Sequence, residues 1–209
     1  MITFFGDGAS RIEVSKSVFI GNAKEVTSAE EAEAFVASVR AEYPDARHVC
    51  YAWRTEGSSY MQKYSDDGEP SGTAGMPILN VMTKKEISNA VITVTRYFGG
   101  ILLGKGGLVR AYTDCAAQAV ADAGLVRVSE GSVFEIKAGY DIAEKLIFAL
   151  RQDEWMVESP VYGESVSFKV TCLKEKGDLL KSFVTDRTAG RIMPEKLNDT
   201  LIRERIKNG

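Results

Sequence analysis

Residues Ala90–Gly124 read AVITVTRYFGGILLGKGGLVRAYTDCAAQAVADAG, and the order of residue types in this stretch decides the fold of the first half of the chain. Ala90 to Thr95 is apolar and β-branched, the pattern of a buried strand. Leu108, Val109, Tyr112, Ala116, Ala119, Val120 and Ala123 then recur at helical spacing, and Gly124 supplies the residue that ends a helix. Between the two lies Phe98–Gly107, FGGILLGKGG, with glycines at 99, 100, 104, 106 and 107. Strand, glycine loop and helix are thus consecutive. A loop of this kind lets a backbone or a ligand come close, while the helix behind it presents unpaired amides and the positive end of its dipole. Phosphate is the natural guest, and Arg96, Lys105 and Arg110 place three cations around the loop. The competing reading is a tight crossover whose glycines only fit strand to helix.

Two nucleotide-binding signatures come close and fail. Gly99, Gly104 and Lys105 match the GxxxxGK part of a P-loop, but Gly106 stands where the magnesium-binding Ser or Thr belongs. The GxG at 104 to 106 misses the dinucleotide fingerprint because Val109 occupies its last glycine position.

Outward from this stretch, Ser28 and Glu31 form a capping box ahead of Ala32, Phe35, Val36 and Val39, which predicts a helix over 29–42. Val18 to Val26 reads as a strand, and His48–Arg54 with Ser59–Tyr64 as a hairpin turning at Glu56-Gly57-Ser58. Thr73 is placed to cap a short helix through Met82, with Pro77 in its first turn. Beyond residue 128 the pattern restarts. Phe134, Ile136 and Ala138 alternate along a strand, Asp141 and Glu144 pair at a helix start, and Trp155–Tyr162 with Val166–Cys172 form a hairpin around Gly163. Leu179, Leu180, Phe183 and Val184 mark a further helix ending near Gly190, before a last strand from Arg191. The order β-α-β-β-α-β is that of a ferredoxin-like domain. Two α+β domains, 1–128 and 129–209, are expected.

The 209 residues include 26 basic and 29 acidic side chains, so the chain has no overall basic field and any nucleic-acid contact needs a local patch. Cys50, Cys115 and Cys172 are unpaired by spacing and fit a reducing cytoplasm, with no disulfide framework or structural zinc. No apolar run approaches a membrane span, and no leader segment is legible.

A second polar cluster runs Asp66-Asp67-Gly68-Glu69-Pro70-Ser71-Gly72-Thr73. It reads either as a turn with helix caps or as three carboxylates able to bind Mg²⁺ near a helix start. His48 and Cys50 lie two apart on one strand face, a poor geometry for a nucleophile and its base. Cys115 and Cys172 read as structural, and Trp155, Tyr162 and Phe168 as core rather than as a platform for unstacked bases.

The two clusters, DDGEPSGTAGMPIL from Asp66 to Leu79 and TRYFGGILLGKGGLVRAY from Thr95 to Tyr112, resemble the paired signatures of the IMPACT family, including its bacterial YigZ-type members. The resemblance covers essentially the whole chain. It implies an N-terminal domain like domain 2 of ribosomal protein S5 and a C-terminal ferredoxin-like domain similar to domain V of elongation factor G. Eukaryotic relatives restrain an amino-acid-starvation kinase by competing for its activator. This chain opens on the S5-like domain without their additional RWD domain, so the resemblance points away from that role. Carried over as motif positions are Asp66, Asp67, Glu69, Ser71, Thr73, Arg96, Tyr97, Gly99, Gly100, Gly104, Lys105, Gly106, Gly107 and Arg110.

The resulting expectation is a non-enzymatic, cytoplasmic, translation- or stress-associated protein. It would bind RNA, the ribosome or another phosphate-bearing partner through the glycine loop, without a cofactor. Two alternatives stand beside it: an enzyme or sensor that uses Mg²⁺ to hold a small phosphorylated ligand, and a regulator that binds a protein partner.

Overall fold

The chain opens on two strands that the sequence reading leaves unassigned, β1 (Ile2–Phe4) and β2 (Gly8–Val14), followed by the expected β3 (Ser17–Glu25). β2 escapes notice because its sequence, GASRIEV, has no apolar alternation strong enough to mark a half-buried strand. Next come α1 (Ala29–Glu42), β4 (His48–Glu56), β5 (Tyr60–Ser65), α2 (Gly75–Lys84), β6 (Ala90–Tyr97) and α3 (Gly104–Ala123). The computed structural model describes residues 1–56 and 60–206, so the expected turn at Gly57-Ser58 and the strand start at Ser59 lie outside the described residues. Ser28 caps α1 as its spacing predicts, its Oγ accepting from the Glu31 amide at 3.2 Å.

β2 to β6 form one antiparallel sheet in the order β2-β3-β6-β4-β5. β6 lies at its centre, and burial of both its faces explains why Ala90 to Thr95 is apolar or β-branched at every position. Ala90, Ile92 and Val94 enter the core built by α2 and α3 with Ile78, Met82, Leu108 and Tyr112. Val91 points the other way, into a smaller cluster with Ala32 and Val36 of α1. Both faces of the strand are therefore covered by helices.

α3 runs directly into a single 14-residue strand, β7 (Leu125–Ala138), whose first residues pair with β1 and whose remainder pairs further along the chain. There follow α4 (Tyr140–Gln152), β8 (Met156–Val157), β9 (Val161–Tyr162), β10 (Val166–Leu173), α5 (Gly177–Arg187) and β11 (Glu195–Ile206). β11 lies beside β7, β7 beside β10, and β10 beside β8 and β9. In chain order of the four strand positions this is fourth, first, third, second, the ferredoxin-like arrangement, with Phe134, Ile136, Leu146, Leu150, Phe168 and Val170 in its core. The architecture is α+β with two antiparallel systems, as the sequence pattern indicates.

Contacts divide the chain into two compact units, Met1–Arg127 with the end of the chain from Glu204, and Val128–Arg203. The expected second domain, 129–209, runs past this unit: Ile206 packs against the core of the first, and the Arg205 guanidinium sits 4.5 Å from the Phe5 ring.

Four local expectations need correction. Asp141 and Glu144 do not cap α4, which starts at Tyr140 behind Gly139 with no side-chain cap. The strand expected over 155–162 is two short pieces either side of Glu158-Ser159-Pro160, because proline has no amide to give the ladder. The last strand starts at Glu195 rather than Arg191. α2 starts at Gly75 without a cap from Thr73, for a reason given below. Among the described residues, no helix is long and apolar enough to cross a membrane.

Candidate functional site

The acidic cluster follows β5 and folds back over the start of α2. Asp66 performs the capping assigned to Thr73: its Oδ1 accepts from the amides of Ala74 and Gly75 at 2.9 and 2.8 Å, and its Oδ2 from that of Gly72 at 2.8 Å. A carboxylate beside a helix start is favoured by the exposed amides and by the dipole. Thr73 is buried and its Oγ1 donates to Pro70 O at 2.6 Å, while the amides at the helix start are already taken by Asp66. Ser71 is exposed on the turn.

Asp67 is equally engaged. Its Oδ1 meets the Arg40 guanidinium at 2.7 Å and its Oδ2 accepts from the Val49 amide at 2.7 Å, while His48 Nδ1 lies 2.7 Å from its carbonyl. Partial burial works to raise its pKa, but Arg40 and the Val49 amide outweigh that and hold it below the ordinary 3.8. A depressed carboxylate stabilises the fold above its unfolded-state pKa, and that contribution is lost as pH falls through the folded value. Asp67→Asn should therefore be less stable than the parent at neutral pH, with the gap narrowing as pH falls below about 3.8 and closing only at the still lower pH where the folded-state carboxylate takes up its proton. Urea titrations of both proteins between pH 7 and pH 3 measure this, and a gap that does not change with pH would contradict it.

Glu69 joins the two sequence motifs. It is buried, and its Oε1 accepts from Arg96 Nη1 at 2.7 Å and from the Tyr112 hydroxyl at 2.8 Å. Arg96 continues the even-numbered face of β6, which places it beneath α3 rather than in solvent. Its guanidinium lies 5.4 and 5.5 Å from the rings of Phe19 and Phe98, and its Nη2 donates to Ser17 Oγ at 3.4 Å. The expectation of Arg96 as an accessible phosphate ligand is thus corrected. A guanidinium 6% exposed and already ion-paired is a strut, because uncovering it would strand Glu69.

Ser17, which the sequence reading did not single out, ties the loop down. Its Oγ also accepts from the Gly99 amide at 3.1 Å. Gly99 runs so close to the backbone of Lys16 and Ser17 that a Cβ there would collide with it. No pattern in the sequence marks Ser17, since it opens β3 directly behind the turn that follows the unrecognised β2.

The remainder of the loop faces outward. The last four residues of the expected loop, Gly104 to Gly107, are the first turn of α3, so the loop proper is Phe98 to Leu103. Tyr97 is half-buried at the end of β6, and Gly100 and Gly104 take the left-handed region at φ 82° and 66°. Lys105 and Arg110 are exposed, and so are Phe98, Ile101 and Leu102, the last at 87%. α3 has no side-chain cap and no acidic residue in its first turn. Gly107 is tight against Leu103, 3.0 Å from where its Cβ would be, whereas a Cβ on Gly106 would meet nothing within 4 Å.

The oxygens of Asp66 and Asp67 are held by amides and Arg40, and no group of three or more His, Cys, Asp or Glu able to hold a metal occurs among the described residues. Cys50 is no nucleophile: its Sγ donates to Asp66 O at 3.0 Å and lies 3.4 Å from Tyr112 Oη, and burial drives its pKa well above the ordinary thiol range. Burial likewise raises Cys115 to about 11, and Cys172 is buried on β10. In the second unit, Phe168 is core and Trp155 is half-buried, tilted against Phe183 at 6.0 Å, whereas Tyr162, expected in the core, is 56% exposed and stacks on Tyr140 at 6.2 Å.

The same two blocks of sequence place the chain among known proteins. Residues 15–120 match the Impact N-terminal domain, and residues 136–191 match a domain of unknown function, DUF1949. The IMPACT family member YvyE of Bacillus subtilis is 33% identical over 184 residues, which cover 88% of this chain and 85% of YvyE. YigZ of Escherichia coli is 48% identical over 110 residues, 52% of this chain and 54% of its own length. A crystal structure of a hypothetical protein superposes with a TM-score of 0.59 at 32% identity, covering 94% of this chain and 97% of that one. The first-unit match spans both the Asp66 cluster and the glycine loop that Glu69 and Arg96 join, and with it the chain belongs to the IMPACT family.

Proposed function

We propose that this protein is a non-enzymatic, cytoplasmic, translation-associated protein that holds RNA phosphates at the start of α3. The ligating groups are the loop and first-turn amides with Lys105 and Arg110, and Arg96 acts only from beneath. The association with translation rests on the family resemblance, through domains similar to those of ribosomal protein S5 and elongation factor G.

One observation carries the RNA reading, the glycine at 106. Glycine inside a helix costs up to about 1 kcal/mol relative to alanine. Neither a left-handed backbone nor crowding requires it here. What it leaves is a bare patch of backbone through which an anion reaches the amides. The charges agree. Lys105 sits in the first turn, where a helix dipole disfavours a cation, and that cost is relieved when an anion occupies the same spot. Phe98, 47% exposed, adds a ring on which an unstacked base can lie.

The test separates binding from stability. Gly106→Ala should leave the protein as stable as the parent, or up to about 1 kcal/mol more so, while weakening binding of a single-stranded RNA. Lys105→Ala with Arg110→Ala should lower the slope of log affinity against log salt by about 1.4, two phosphate contacts at roughly 0.7 each. Arg96→Met, where folded, should leave that slope unchanged. Absence of RNA binding at low salt, or a slope insensitive to the double substitution, would overturn the reading.

A second reading, a regulator that docks on a protein, is favoured by Leu102 and Ile101, apolar side chains exposed at the loop tip. Retention of a protein partner by a chain that binds no RNA at low salt would select it.

A further inference from the structure

Lys145, Arg187 and Arg191 line one cavity of about 430 Å³ in the second unit, between a face of α4 and the C-terminal end of α5. We infer that this cavity binds a phosphate monoester of nucleotide size. The inference is independent of the glycine loop and of any role for it.

The charge balance comes first. Asp141 is the one carboxylate in the lining, so three cations face one anion in a chain whose net charge is -3. The available neutralising contacts are weak. Arg187 Nη2 is 3.7 Å from Asp153 Oδ2, with both side chains about half exposed, and the Arg191 guanidinium donates through Nε to Thr188 O at 3.2 Å. Cations at the end of α5 are partly explained by the carbonyls there, since a helix C-terminus favours positive charge. That accounts for Arg187 and Arg191, but not for Lys145, which comes from another helix, nor for the hollow between them.

Shape supplies the second argument. The Arg187 guanidinium lies 4.4 Å from the Phe183 ring, a cation–π contact that favours one placement of its fork before a ligand arrives. A bare oxyanion would not fill the volume. The space falls in the range that takes small organic ligands, and Ile142 and Leu146 give it an apolar wall for the body of one. Phosphate oxygens against Arg187 with Lys145 and Arg191, and a sugar or base along α4, satisfy both features.

Calorimetry on the full chain tests this with three probes: adenosine 5′-monophosphate, inorganic phosphate, and a short RNA with and without a 5′-terminal phosphate. The mononucleotide should bind, and more tightly than inorganic phosphate. Lys145→Gln with Arg191→Gln should weaken it by about tenfold or more, the loss of two charge-assisted hydrogen bonds. Asp141→Asn should tighten it, and Lys105→Ala with Arg110→Ala should leave it unchanged. Preference for the 5′-phosphorylated RNA over both the unphosphorylated strand and the mononucleotide would identify RNA ends as the natural source. No binding of either phosphate monoester, equal affinity for inorganic phosphate, or unchanged affinity in the folded double variant would overturn the inference.

Discussion

Replacing Glu69 by Ala should destabilise the first unit by about 3–5 kcal/mol, the usual cost of leaving one member of a buried ion pair without its counter-charge. Nothing nearby replaces it. Arg96 is buried, Glu69 Oε1 is the acceptor for both its Nη1 and the Tyr112 hydroxyl, and the surroundings are the rings of Phe19 and Phe98. Removing both charges is a different perturbation. Glu69→Leu with Arg96→Met should recover much of the loss, because an apolar pair of similar volume carries no desolvation cost, although the Tyr112 hydroxyl then loses its acceptor. Denaturant unfolding of Glu69→Leu, Arg96→Met and the double variant completes the cycle, with Glu69→Ala measured beside them. A cost near 1 kcal/mol for Glu69→Ala, or a double variant as damaged as the sum of the singles, would show that the pair does not hold the two motifs together.

Gly99→Ala should cost about 3 kcal/mol or more, by forcing a methyl group into the backbone of the turn between β2 and β3. The added Cβ would overlap Lys16 and Ser17, which are backbone and cannot rotate away. The neighbouring glycine is a built-in control. At Gly100, φ is 82° but the space beside it is open, so Gly100→Ala meets only backbone strain of about 1–2 kcal/mol. Thermal melts of the pair should therefore separate, with Gly99→Ala the lower. Equal melting temperatures would mean that the β2–β3 turn moves aside and does not clamp the loop. Ser17→Ala gives the same clamp a milder test through the lost acceptor for the Gly99 amide.

Much of the architecture was legible because periodicity reports burial directly. β6 is apolar or β-branched from Ala90 to Thr95 because α1 covers one face and α2 with α3 the other. The capping of α1 by Ser28 was legible because its partner lies three residues away, within reach of a local rule. The ferredoxin-like order was legible because each of its elements carries its own pattern. Where the reading failed, the controlling contact was distant or the pattern faint. β2 has too few apolar residues to announce itself, and α2 is capped from Asp66, eight residues before Ala74, instead of from the adjacent Thr73. The last strand passes from the second unit to the first at Glu204, where no composition change marks the step.

The glycine loop divides along the same line. Its place between a buried strand and a helix, the glycine at 106 and the presence of cations at 105 and 110 were determined by the sequence alone, since strand, loop and helix are contiguous and their patterns are local. Which of its charges stay exposed was not. Arg96 reads like Lys105 in a linear sequence, yet β6 alternation carries it under α3 and into Glu69, whereas the start of α3 carries Lys105 outward. Only the tertiary structure could decide this, because an ion pair between residues 27 positions apart depends on how the elements fold back on one another and leaves no periodic trace in the chain.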